Sequence, residues 1–325
     1  MKINLIRLGP RRPCVAGASD GAKARHRGSP APATQGRGAR VPVIAAAALL
    51  LASGCIAMRD STPIRDEVAN KGLRLTRSLP KHLPSKTSAI PNAQYVMINA
   101  DSGIVALADF ANPIPFVGDL VVDQWNQHKA NQFKEHIFQI DPYLIATERL
   151  AGSPLLSTRT NALHLMPFVY MMECDDARFR LTLVFRVESE TWLGRYMYHL
   201  PTTYTVADMK SDAPLAMASL HDELVAGCDK LRSLMERDAQ GDWPKASTKA
   251  EIGSYYLVGA STLGLIPARL SLYKNVDVLE ESKDDVVIRS RGDLKSAGNA
   301  GALAFGVHYF RKDQLHTFIK KTDTP

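Results

Sequence analysis

Leu163 to Val206, reading LHLMPFVYMMECDDARFRLTLVFRVESETWLGRYMYHLPTTYTV, is the stretch that decides the fold. Between Phe179 and Glu188 the residues Phe179, Leu181, Leu183, Phe185 and Val187 alternate with Arg180, Thr182, Arg186 and Glu188. Arg178 begins the polar set, and Val184 is its one apolar exception. Successive side chains of a strand point to opposite faces, so this run reads as a strand with one buried and one wet face. LHLMPFVYMMEC before it is apolar on both sides, Asp175-Asp176 reads as a hairpin turn, and RYMYHLPTTYTV supplies a third strand entered through Glu190-Thr191-Trp192. The expectation is an antiparallel meander over about 163–206.

Downstream the period changes. From Pro214 to Gln240, Leu220, Leu224, Cys228, Leu231 and Leu234 recur at three- and four-residue steps, which lines them along one helix face. Pro214 suits a first helical turn and Gly241 a stop. Upstream, Pro113 and Pro115 break an apolar segment into a loop, Asn112 to Phe116, and a helix over about 116–140. Val117, Val121, Trp125, Phe133, Ile137 and Ile140 share a face of that helix, with His128 and His136 on or near it. Those histidines are eight residues apart, about 12 Å along a helix, too far for one metal ion. Toward the end of the chain NVDVLEESKDDVVIRSRG reads as a hairpin turning at Ser282-Lys283, and ALAFGVHYF as a final strand. The expected fold class is α+β: an antiparallel sheet, the meander plus the C-terminal strands, covered by helices about 116–140 and 214–240.

The domain plan follows from composition. Residues 1–54 read as a leader. Residues 55–92, rich in Ser, Thr, Pro and Lys and interrupted by Pro80, Pro84 and Pro91, read as a flexible tether. Order is expected to begin near Ala93, with an α+β body over 93–240. A polar link containing Trp243-Pro244 leads to a β-rich portion, 249–325, which belongs either to the same domain or to a second one.

The leader is decided by Val41 to Cys55, VPVIAAAALLLASGC. From Val41 to Ala52 every residue except Pro42 is a non-polar aliphatic, a length suited to a signal-peptide core and short of the about 20 residues that span a bilayer. Leu51-Ala52-Ser53-Gly54-Cys55 resembles the lipobox of bacterial lipoproteins, with Ala52 where that family more often has leucine. The resemblance stops at Cys55. It implies that the Cys55 thiol receives a diacylglyceryl group, that the chain is cut just before it, and that the new amino terminus is acylated. Several acyl chains anchor a protein stably where one does not. Ile56 rather than aspartate follows, which by resemblance favours the periplasmic face of the outer membrane. The same residues also suit an ordinary cleaved signal or a short buried helix.

Nine of the 40 Lys+Arg and one of the 33 Asp+Glu lie in residues 1–54. The remaining 271 residues hold 31 basic and 32 acidic side chains, so the formal charge falls from +7 to −1. The basic balance is a property of the leader, and no nucleic-acid partner is expected. Two cysteines remain beyond Cys55. In an oxidising periplasm Cys174 and Cys228 are able to form a disulfide, and both equally suit buried thiols.

No catalytic signature emerges. The chain has no phosphate-cradling glycine loop with lysine, no zinc-protease helix, no CxxC and no dinucleotide fingerprint. Gly259-Ala260-Ser261-Thr262-Leu263 lacks the second glycine of a nucleophile elbow, and Arg291-Gly292-Asp293 is a match that chance readily produces. Glu173, Asp175 and Asp176 cluster in sequence, but turn acids are usually solvated. No metal or cofactor is expected. Three readings of function stay open: a non-enzymatic envelope lipoprotein that binds a protein or envelope partner, held to the membrane through acyl chains at Cys55; a periplasmic immunity protein or inhibitor using an exposed patch such as Asn112 to Phe116; and an envelope hydrolase whose Glu173, Asp175 or His199 converge in a pocket.

Overall fold

Alternating apolar residues need a sheet to pair with, and the three longest strands are β5 (Leu163–Glu173), β6 (Arg178–Glu188) and β7 (Leu193–Thr205). β6 runs antiparallel to both of its neighbours. The computed structural model describes residues 59–64, 66–80, 87–99, 127–128, 130–174, 178–190, 192–210, 214–244, 248–256, 273–292 and 305–321. The leader with Cys55, the loop Asn112 to Phe116, Asp175, Asp176, Gly259 to Leu263 and Asp293 lie outside the described residues.

The other strands are β1 (Arg59–Asp60), β2 (Leu73–Leu75), β3 (Thr87–Ile90), β4 (Tyr95–Asn99), β8 (Thr248–Ser254), β9 (Tyr273–Glu281), β10 (Asp285–Gly292), β11 (Gly306–Arg311) and β12 (Leu315–Lys320). They join one open sheet in the order β12-β8-β9-β10-β11-β7-β6-β5-β4-β3, with β1 on β10 and β2 on β5. The fold is α+β, and the sheet is mixed rather than antiparallel. β2 and β4 lie parallel to β5, and β11 lies parallel to β7. Parallel neighbours arrive through long crossovers, which the alternation inside a strand does not encode.

Among the helices of the described residues are α1 (Asp66–Lys71), α2 (Pro142–Arg149), α3 (Val206–Lys210) and α4 (Pro214–Gln240). α4 occupies the span its periodicity suggests. Leu220, Leu224, Cys228, Leu231 and Leu234 are fully buried against Leu183, Phe185, Tyr196 and Leu200 of the sheet. Each such leucine contributes roughly 1.5–3 kcal/mol of burial. Gly241, at φ 74°, closes the helix, and Asp242 N donates back to Arg237 O at 3.0 Å.

The helix expected over 116–140 is corrected. Helical backbone in the described part ends at Phe133, followed by a turn and a 3-10 segment, Ile137–Gln139. Ile137 and Phe138 are both buried, and adjacent residues of a regular helix do not share one face. Asp141, extended as the residue before a proline must be, caps a new helix by accepting from Tyr143 N at 2.9 Å.

The tether is corrected as well. From Arg59 onward the chain is woven into the sheet: β1 pairs with β10, β2 with β5 and β3 with β4, while Val68 and Leu73 are each 1% exposed. Trp192 Nε1 donates to Thr62 O at 3.3 Å, fixing this segment to the β6–β7 hairpin. The two expected portions, 93–240 and 249–325, share the sheet through the β7–β11 pair, and residues 55–325 form one unit. Trp243 is buried under Arg237, whose guanidinium lies 4.1 Å from the ring centroid. Cys174 and Cys228 are thiols and not a disulfide. They belong to different apolar clusters, one on each side of the sheet, because Cys174 packs with Phe168 and Met172 and Cys228 packs with the α4 face.

Candidate functional site

The face of the sheet opposite α4 carries the polar residues of β6 and β7, and it is buried. Met166, Phe168, Tyr170, Val184 and Met197 form an apolar cluster there, among which Arg186, Arg195, Thr182 and His199 are at most 3% exposed. The alternation of β6 was expected to mark a wet face; Val184, the exception, belongs to a second core. Two polar groupings occupy this face.

The first is a chain of four side chains on four strands. Thr182 Oγ1 lies 2.9 Å from His199 Nδ1, His199 Nε2 lies 3.1 Å from His308 Nδ1, and His308 Nε2 lies 3.0 Å from Ser290 Oγ. Ser290 Oγ also reaches Gly306 O at 3.3 Å. A carbonyl only accepts, so Ser290 donates to it and accepts from His308 Nε2–H. His308 Nδ1 then accepts from His199 Nε2–H, and His199 Nδ1 accepts from the Thr182 hydroxyl. Every link runs in one direction with both imidazoles neutral. Burial, then the neighbouring His308, holds the His199 pKa well below the usual histidine value. Phe310 stacks on His199 with ring centroids 4.0 Å apart. This chain positions strands, and both nitrogens of His199 are engaged within it.

The second grouping is a pair of arginines. Arg186 on β6 stands directly opposite Arg195 on β7. They are 2% and 1% exposed. Arg186 Nη2 pairs with Glu188, whose side chain is 37% exposed at the end of β6. Nε and Nη1 of both guanidiniums lack a hydrogen-bond partner, as does the Tyr170 hydroxyl. Burial lowers the Arg195 pKa to about 10, and the charge of Arg186 adds to that effect against Tyr170 and Glu188. Burial raises the Tyr170 pKa, and Arg195 and Arg186 oppose the rise. Like charges directly opposite on adjacent strands destabilise a sheet, and each buried ion left unpaired costs several kcal/mol. Chemically, the arrangement is a cluster of N–H and O–H donors with an excess of positive charge.

On the other face, Asp238 of α4 is a satisfied buried acid. It accepts from Tyr196 Oη at 2.5 Å and Ile64 N at 3.1 Å, and pairs with Arg289. The group ties α4, β7, β10 and the N-terminal segment together.

The acids and histidines chosen from sequence are not brought together. Glu173 pairs in register with Phe179 on the α4 side of the sheet, whereas His199 pairs with Thr182 and points to the other side. His128 is exposed, with Nε2 2.9 Å from Gln132 Nε2. Among the described residues, no group of three or more His, Cys, Asp or Glu side chains is placed to hold a metal ion, and no helix is long and apolar enough to cross a membrane. The arginine pair was missed because arginines alternating with apolar residues read as solvated. Val184 in their row and the two-sided apolar character of β5 were the signal that this face is covered. Set against protein-family models, curated proteins and solved structures, the chain matches none of them.

Proposed function

We propose that the protein is a lipid-anchored lipoprotein of the bacterial envelope whose body binds a protein or envelope partner without catalysing a reaction. One observation carries this reading: the run Val41 to Cys55, in which an apolar core closes on small residues and then a cysteine. A chain acylated at Cys55 is held at the periplasmic face of the outer membrane, and only three residues separate Cys55 from β1, so its body lies close to the lipid surface. In this reading the body is a meander of β5, β6 and β7 with α4 laid over one face. Binding is favoured over hydrolysis because His199 has both ring nitrogens engaged inside the body and is held neutral there.

The test is membrane fractionation of cells expressing the wild-type chain or Cys55→Ser. Wild type is expected in the membrane fraction, extractable by detergent and not by high salt, and Cys55→Ser is expected in the soluble fraction. Membrane association that survives the substitution contradicts the proposal.

A further inference from the structure

We infer that Arg186, Arg195 and Tyr170 form a binding site for an oxyanion of single negative charge, a carboxylate or a phosphodiester group. The inference goes beyond the envelope address and does not depend on it. Its ground is an imbalance of charge and hydrogen bonding in one place. Two buried guanidiniums face each other in register, and Glu188 is the one acid paired with them among the described residues. That leaves one positive charge, which a monoanion neutralises and a dianion overshoots.

The donors left over match the ligand. Nε and Nη1 of each arginine, together with the Tyr170 hydroxyl, are buried and without partners. A guanidinium presents its N–H groups as a planar fork that fits two oxygens of a carboxylate or phosphate. Tyr170 supplies a further donor. Since burial keeps the phenol protonated, it has a hydrogen to give. Arg186 and Arg195 lie two residues inside the end of the β6–β7 hairpin, and Glu188 between them and that end is partly exposed. On the β11 side, Gly306 at φ 134° packs against the Arg195 backbone, where a Cβ would meet the Arg195 carbonyl, and the Phe305 ring centroid lies 5.9 Å from the Arg195 guanidinium. That flank is tightly packed.

The site is tested by unfolding the purified full-length chain in neutral detergent with increasing sodium acetate or sodium dimethyl phosphate, against sodium chloride at matched ionic strength. One or both oxyanions are expected to raise the unfolding midpoint saturably, by about 2–4 °C once a few times the dissociation constant is reached. The salt giving the shift at lower concentration identifies the group. Arg195→Met is expected to abolish the shift while unfolding, without ligand, at or above the wild-type midpoint, since an apolar isostere removes a buried unpaired charge. Tyr170→Phe, which removes one hydroxyl, is expected to raise the saturating concentration about 10-fold. Midpoints indistinguishable from the chloride series, or a wild-type shift retained in both variants, would overturn the inference.

Discussion

Tyr196 donates its hydroxyl to Asp238 at 2.5 Å, joining the first part of β7 to the last turns of α4 beneath a fully buried interface. Arg289 of β10 and the Ile64 amide complete the set around the same carboxylate. Asp238→Asn leaves the Arg289 charge buried and unpaired, and is expected to cost about 3 kcal/mol in denaturant unfolding. Replacing the pair together, Asp238→Leu with Arg289→Met, is expected to recover most of that loss. A double variant as unstable as the single one would show that packing, and not the stranded charge, sets the cost.

The contact between Arg149 and Asp229 has equally good geometry and a different expected outcome. Its two bonds, 2.9 and 2.5 Å, link α2 to α4. The side chains are 40% and 44% exposed, so solvent screens the pair. Arg149→Gln is expected to leave the unfolding midpoint close to wild type, with any difference shrinking in high salt. A loss comparable to that of Asp238→Asn would contradict this ranking.

The His199 to His308 chain gives the stability a pH dependence. Below the ordinary histidine pKa of about 6.5 the unfolded chain takes up a proton that folded His199 refuses, because burial and His308 depress its pKa. Stability from this group is therefore complete above about pH 6.5 and is lost as the pH falls, at up to about 1.4 kcal/mol per unit. Urea midpoints between pH 7.5 and pH 5 measure the slope. His199→Gln, which keeps a donor toward His308 and does not titrate, is expected to flatten it. A slope unchanged in that variant would assign the dependence to other groups.

Thiol labelling checks the cysteines. Burial raises the Cys228 pKa, and both Cys174 and Cys228 are enclosed in apolar clusters. Peptides containing either residue are expected to stay unlabelled by maleimide in the native protein and to label fully after denaturation without reductant. A requirement for reductant would reveal a disulfide.

What the sequence made legible was local. The helical period of α4, the strand at β6 and the turn between Glu281 and Asp285 are each set within a few residues, and each element is present. The long-range features were not legible. Arg59–Asp60 and Leu73–Leu75 form two- and three-residue strands in a stretch of Ser, Thr and Pro, too short to show a period, and their partners lie far along the chain. His199 was singled out from sequence as a candidate acid or base. Its partners Thr182 and His308, and Ser290 beyond His308, come from three other strands, which no spacing rule connects. The arginines of β6 show the reverse difficulty: a clear local pattern indicated the opposite burial, because what covers a face is not written in the strand itself.

Mass spectrometry of the amino-terminal peptide from membrane-purified protein tests the account most directly. The account predicts a peptide that begins at Cys55 and carries a diacylglyceryl group with an acylated amine. A peptide from residues upstream of Cys55, or an unmodified cysteine at the terminus, would contradict it.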